Sequence, residues 1–229
     1  MTKPVSETNY VRVANLLRNE IIAGEIPLGG WLRLNALAEK YGVSVQPVRE
    51  ALQQLEGEGL VEIFPNRGVR VRALDRERLI HSHEIGEALE GFLAYQFAEE
   101  ASLSSLRKLE ALQVAHDAAL DVLDWPRIDA ANYAFHRFIN MHGGNVEAAE
   151  IIIPRYYGLS ESLLYKRGRT QAYADRVRTE HHALLDAFRD RDPSRARQIS
   201  GMHVRATLND VLDAFEATQN RPNKVQASQ

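Results

Sequence analysis

The chain has 229 residues, 26% of them charged, with a formal net charge of −3 and no cysteine. That length leaves room for two domains with cores of their own. The missing cysteines exclude disulfides and thiolate metal sites, and no apolar run is long enough to span a bilayer nor does the start read as a signal peptide, so a cytoplasmic protein with no membrane partner is expected. Charge is uneven: residues 1–74 hold 9 Lys+Arg against 8 Asp+Glu, and residues 75–229 hold 19 against 23. Attraction to a polyanion would therefore have to come from a local cluster such as Arg67, Arg70 and Arg72.

Residues 1–7 read as loose. Val11, Ala14, Leu17, Ile21 and Ile22 mark a first helix up to Gly24, and Pro27-Leu28-Gly29-Gly30 is a turn. Leu34, Leu37, Ala38 and Tyr41 recur at helical spacing, and Gly42 supplies the left-handed backbone of a helix stop. Ser44 stands where a hydroxyl caps the next helix, and Pro47 sits in that helix's first turn, where its missing N–H costs little. Val48, Leu52 and Leu55 form the buried stripe; Gln46, Arg49, Gln53 and Glu56 are left facing out. Gly57 and Gly59 close the helix, and Leu60, Val61 and Ile63 are strand-like, as are Val69 and Val71, with Pro65-Asn66-Arg67-Gly68 as the hairpin turn. A helix, a tight turn, a second helix and a small β-wing make a winged helix-turn-helix over residues 8–74, whose second helix can enter the major groove of double-stranded DNA.

Nearly everything from 75 to 217 reads helical. Leu79, Ile80, Ile85, Leu89, Phe92, Leu93 and Phe97 give one amphipathic helix, and Leu103, Leu106, Leu109, Leu112, Leu120 and Leu123 a second. Pro126 starts a third that ends near Gly143-Gly144, a fourth begins around Asn145 and is kinked at Pro154, a fifth spans about Thr170 to Arg189, and Asp192-Pro193 opens a sixth that ends near Ala217. The expected fold class is thus mainly α, with an all-α six-helix bundle following the wing and a flexible tail over 218–229.

Three histidines in the bundle stand out by position. His136 follows Asn132 by one helical turn, so the two share a face. His181 is 11 residues before Asp192 and His203 is 11 after it, which sets them at about the same height in an antiparallel hairpin. With the third helix alongside, four nitrogen- or oxygen-bearing side chains converge. Imidazole suits zinc, nickel, copper or iron, and three imidazoles leave open positions on the ion. His81, His83, His116, His142 and His182 lack such alignment and read as surface or packing residues. Tyr133, Phe135, Phe138, Tyr156 and Tyr157 read as core and pocket wall.

The run Gly42-Val43-Ser44, Pro47-Val48-Arg49-Glu50-Ala51-Leu52, Leu55 and Gly59-Leu60-Val61 resembles the DNA-binding domain of GntR-family bacterial repressors. Val45 and Gln46 depart from that family's usual Arg and Thr. The resemblance implies that Ser44, Val45, Gln46, Arg49, Arg67 and Gly68 face DNA, with the operator altered where Val45 and Gln46 lie. The bundle resembles the FCD domain of the FadR branch: Asn132-Tyr133-Ala134-Phe135-His136, Gly144-Asn145, Glu180-His181 with Leu184-Leu185-Asp186-Ala187, and His203 follow its pattern. The two resemblances cover about residues 8 to 217. By the second, His136, His181 and His203 are ligands of a divalent metal, zinc or nickel, and Asn132 replaces the usual Asp. Gly86 stands where many members have an effector-directed Arg, so an anionic effector would need another cation; Arg137 and Arg155 lie near the motif residues in sequence.

The expectation is a homodimeric, DNA-binding transcription regulator, not an enzyme, whose operator affinity is modulated by a small organic acid bound in a metal-containing helical domain. A regulator whose signal is the metal itself is the alternative. A metal-dependent enzyme is a weaker one, since no general base is tied to the histidines.

Overall fold

The computed structural model describes residues 8–73, 75–152 and 170–219. Residues 1–7, the Pro154 kink, Arg155, Tyr156, Tyr157 and the tail beyond 219 lie outside the described residues. The chain divides into two compact units, Met1–Asp75 and Arg76–Gln229.

In the first unit, α1 (Asn9–Ile22) turns Val13, Ala14, Leu17 and Ile21 inward at helical spacing, all fully buried. It packs on α3 (Val45–Gly57), whose Val48, Ala51, Leu52 and Leu55 make the facing stripe. The contact is pinned at one end by Arg18, which donates to both carboxylate oxygens of Glu58 at 2.9 and 2.6 Å, the fork geometry that makes an Arg–carboxylate pair directional. Between them α2 (Leu34–Tyr41) ends on Gly42 at φ 65°, a left-handed stop open to glycine without strain. Ser44 occupies the N-cap position of α3 with extended backbone, but its hydroxyl makes no capping bond, so the cap expected from sequence is positional only.

The wing has three strands where two were expected. β1 (Trp31–Leu32), β2 (Val61–Phe64) and β3 (Gly68–Val71) form an antiparallel sheet in the order β1-β3-β2. Trp31 pairs with Arg70 and Leu32 with Val69; on the other side Val61 pairs with Val71 and Phe64 with Gly68. Backbone bonds between Gly29, Gly30 and Val71 extend the added edge. Two residues are too few to show alternation, which is why β1 is silent in the sequence.

The described elements of the second unit are all helices: α4 (Arg76–Glu100), α5 (Leu103–Asp121), α6 (Trp125–His142), α7 (helical over 146–152), α8 (Gln171–Arg189) and α9 (Pro193–Gln219). Starts are fixed by side chains: Ser102, Asp124, Asn145, Thr170 and Asp192 each accept from the backbone N–H three residues on. α9 continues to Gln219, two residues past its expected end near Ala217. The longest seam runs between α4 and α9. Phe97, Phe135 and Phe188 are fully buried, with the rings of Phe97 and Phe188 edge to face at 4.8 Å.

The α6–α7 junction is sterically exact at Gly143. A Cβ there would lie 2.6 Å from the carbonyl oxygen of Leu93 on α4, a backbone atom that cannot swing away. Gly143→Ala is therefore expected to destabilise the second unit by about 1–3 kcal/mol through overpacking, read as a lowered thermal midpoint. Gly57→Ala, whose Cβ would meet nothing within 4 Å, serves as the tolerated control.

Candidate nucleic-acid interface and metal centre

Burial of one stripe of α3 decides what its other face offers. Gln46, Arg49, Gln53 and Glu56 are exposed, as is Ser44; Val45 and Gly68 are half-buried. They are not equivalent. Gln46 donates to Glu50 one turn on, at 2.9 Å. Glu56 accepts from the backbone N–H of Ile63 at 2.9 Å, so it ties the end of α3 to β2. Arg49 extends from the middle of the open face.

The expected Arg67, Arg70 and Arg72 cluster does not form as such. Arg70 donates to the Gly29 carbonyl at 2.8 Å and lies over the Trp31 ring; Arg72 pairs with Glu62 at 3.4 Å. Across the strands both are occupied in holding the wing together. Arg67 is exposed at the tip, raised there by a turn in which Asn66 takes a positive φ of 62°. Arg33, immediately before α2, is a further exposed cation that the periodicity did not single out.

In the second unit α6, α8 and α9 bring His136, His181 and His203 together. All three are buried, and one nitrogen from each lies within 4.8 Å of one from each of the others. Nε2 of His136 is 3.2 Å from Nε2 of His181. The outer nitrogens are held from behind. His181 Nδ1 is 3.0 Å from Gln113 Oε1 on α5, His203 Nδ1 is 2.7 Å from Glu180 Oε2, and His136 Nδ1 is 3.8 Å from Glu90 Oε2 on α4. Phe135 stacks on the His181 ring at 4.4 Å. Burial holds both His136 and His181 well below the ordinary imidazole value, and the neighbouring histidines push the same way. Burial alone would raise the Glu180 carboxyl, but the bond to His203 and the Arg176 guanidinium bring it below its usual value. Neutral His136 and His181 rings, with one nitrogen from each of the three histidines drawn together and Gln113 and Glu180 standing behind His181 and His203, have the donor chemistry and outer support of a divalent-metal site. The buried Oδ1 of Asn132, one turn before His136, has no hydrogen-bond partner among the described residues, which fits an oxygen reserved for an ion or ligand.

Sequence reasoning named the three histidines but not Gln113. The signal was a polar residue in an apolar stripe: on α5, Gln113 falls with Leu106, Leu109, His116 and Leu120 on the buried side. Among the other histidines, His81, His142 and His182 are exposed, His83 is buried with Nδ1 2.7 Å from the Leu79 carbonyl, and His116 packs at 4.9 Å from the His181 ring. Gly86 is buried on α4 and Arg137 is exposed.

Comparison with known proteins bears on both units. Residues 9–71 match the bacterial regulatory proteins of the gntR family, and residues 81–206 match the FCD domain. The chain belongs to the GntR family, in its FCD-bearing branch. An HTH-type transcriptional regulator in an unstable DNA locus of Streptomyces ambofaciens is 30% identical over 217 residues, covering 92% of this chain and 88% of that one. A probable D-xylose utilization operon transcriptional repressor of Paenarthrobacter nicotinovorans is 28% identical over 204 residues, 86% of each. The solved structure of McbR/YncC from E. coli shares the fold at a TM-score of 0.79, with 22% identity over 91% of this chain and 99% of that one. This GntR-family member is a transcriptional regulator, and its relatives are named as repressors and regulators rather than enzymes.

The depressed imidazoles set a pH dependence for the metal-free bundle. The unfolded chain takes up protons on His136 and His181 near pH 6.5, whereas the folded chain resists doing so. Stability is thus full above about pH 6.5 and falls as the pH drops from there through the depressed folded values. Urea midpoints of chelated protein between pH 8 and 5 check this: a flat profile contradicts it, and His136→Gln is expected to reduce the slope.

Proposed function

We propose that this GntR-family regulator binds a near-palindromic operator as a cytoplasmic homodimer, one α3 per half-site, and that a small organic acid bound beside a zinc or nickel ion in the FCD domain tunes its affinity. Ser44, Val45, Gln46 and Arg49 on α3, with Arg67 and Gly68 at the wing, are the DNA-facing set. Arg49 reads a base or grips a phosphate, and Arg67 reaches backbone or minor groove. Asn132, His136, His181 and His203 hold the metal. The observation that carries the reading is the set of three buried imidazoles, each with a nitrogen within 4.8 Å of one on each of the others, in which Nδ1 of His181 and of His203 is engaged from behind by Gln113 and Glu180.

The metal, when bound, supplies a Lewis-acid contact for an oxygen of the effector. The residues of this chain do the rest. His136 and His181 stay neutral, Gln113 and Glu180 hold His181 and His203 in orientation, Phe135 fixes one ring face, and Asn132 offers an uncharged oxygen in place of a carboxylate. The effector then shifts the dimer between DNA-competent and incompetent arrangements, a coupling of about 1–3 kcal/mol in comparable systems.

Footprinting upstream of the chain's own gene supplies the operator for quantitative tests. Arg49→Ala is expected to weaken operator binding by about 1–3 kcal/mol if the guanidinium makes a bidentate base contact, measured by gel shift at fixed salt; unchanged affinity removes Arg49 from the interface. His136→Ala is expected to lose the metal that wild-type protein retains, measured by elemental analysis after dialysis. A wild type that is metal-free even after loading with zinc or nickel overturns the metal reading. Calorimetry of a panel of small carboxylic acids, with and without chelator, tests whether effector binding needs the ion.

A further inference from the structure

We infer that Asp117 sets the tautomer of His181 by locking the side-chain amide of Gln113, so that a carboxylate two hydrogen bonds away from the imidazole decides whether its Nε2 is open to a ligand. The inference deepens the metal reading and rests on it for its consequence, but the lock itself is a property of the metal-free chain.

A neutral imidazole carries one proton, and whatever faces one nitrogen decides which. His203 has a carboxylate within hydrogen-bond reach of its Nδ1, Glu180 at 2.7 Å. An ionised carboxylate only accepts, so either rotamer of it favours Nδ1–H. Gln113, facing His181, is different. Its amide has an accepting end and a donating end, and a half-turn exchanges them. With Oε1 toward His181 at 3.0 Å, Nδ1 carries the proton and Nε2 keeps its lone pair. With the NH2 toward His181, Nδ1 would have to be bare and the proton would move to Nε2, the atom 3.2 Å from His136 Nε2 and needed by a metal.

Asp117 selects between the two. Gln113 Nε2 donates to Asp117 Oδ1 at 2.9 Å, and a flipped amide would set its carbonyl against that carboxylate, oxygen to oxygen. Gln113 is buried, which makes such a mispairing costly. Asp117 is itself held in place from α8. His182 Nε2 lies 2.9 Å from its Oδ2, Arg178 Nε lies 3.7 Å from its Oδ1, and Arg178 also donates to its backbone carbonyl at 3.4 Å. The chain from the buried imidazole therefore ends in a partly exposed ion-pair cluster on the α5–α8 seam. Gln113 and Asp117 are positioning residues, acting on the ligand site only through His181.

The test uses the full-length chain with histidine labelled in 15N. In metal-free wild type, long-range 1H–15N spectra are expected to report His181 as the Nδ1–H tautomer. Asp117→Asn removes the preference, because an amide facing an amide pairs in both senses; His181 is expected to show an Nε2–H population, and zinc affinity in chelator competition to fall by about 10–100-fold, the size of other losses in outer support. Asp117 is partly exposed and Asn is its isostere, so the fold is retained. The double variant Gln113→Glu with Asp117→Asn reverses the polarity of the pair, keeps an acceptor toward Nδ1, and is expected to restore both tautomer and affinity. An unchanged His181 tautomer in Asp117→Asn overturns the inference, whatever happens to affinity, as does a double variant that shows no recovery. A wild type that binds no zinc while the tautomer still responds to Asp117 overturns the metal reading and supports the lock.

Discussion

Three imidazoles packed within a few ångströms of one another in a water-poor interior face a severe electrostatic constraint. Protonating His136 or His181 places a charge against its neighbours in a medium that screens poorly, so burial and repulsion between the rings both favour the neutral form of these two. A neutral ring must still find a home for its single N–H, and Glu90, Gln113 and Glu180 stand behind the three Nδ1 atoms. Those partners come from three helices and the histidines from three, with α8 supplying both kinds. Satisfying the polar groups thus fixes the register of five helices around one point. The apolar layer built on Phe97, Phe135 and Phe188 adds burial that is less directional than the polar cluster.

How much of this was legible depends on where the information sits. The winged unit is written in local signals: a left-handed glycine at Gly42, a proline in the first turn of α3, and a stripe from Val48 to Leu55 that reappears as the buried face. The three histidines were legible because the α8–α9 hairpin converts equal distances from Asp192 into equal height, and the observed ring contact of 5.2 Å between His181 and His203 follows from that symmetry. What sequence concealed was contact between distant segments. Nothing near Gln113 says that it faces His181, 68 positions away. The inward commitments of Arg70 and Arg72 arise only once β1 lies beside β3 and Glu62 lies across from Arg70. Ser44 shows a related failure: the residue type fits a cap and the backbone adopts the cap conformation, yet the hydroxyl is left out of the bond.

The family relationship and the residue-level reading address different levels. Family membership gives the chain its role as a regulator and accounts for the pairing of a winged unit with a helical one. It does not say how an uncharged Asn132 is accommodated. Glu90, buried beside His136, and Glu180, half-buried beside His203, stand one layer out from the rings, the place from which a carboxylate would offset a dication that had an amide oxygen among its donors.

The inward-turned arginines of the wing carry a consequence for the energetics of the DNA complex. A duplex holds a cloud of condensed cations, and a protein gains affinity from it in proportion to the phosphates it neutralises. Arg12, Arg18, Lys40, Arg70 and Arg72 are bonded within their own unit, leaving Arg33, Arg49 and Arg67 as its exposed arginines among the described residues. On the proposed interface few ions would be released, because few cations would meet the backbone. The grip on arbitrary sequence would be correspondingly light, its dependence on ionic strength shallow, and a larger share of the discrimination would fall to the handful of groups that touch the base edges.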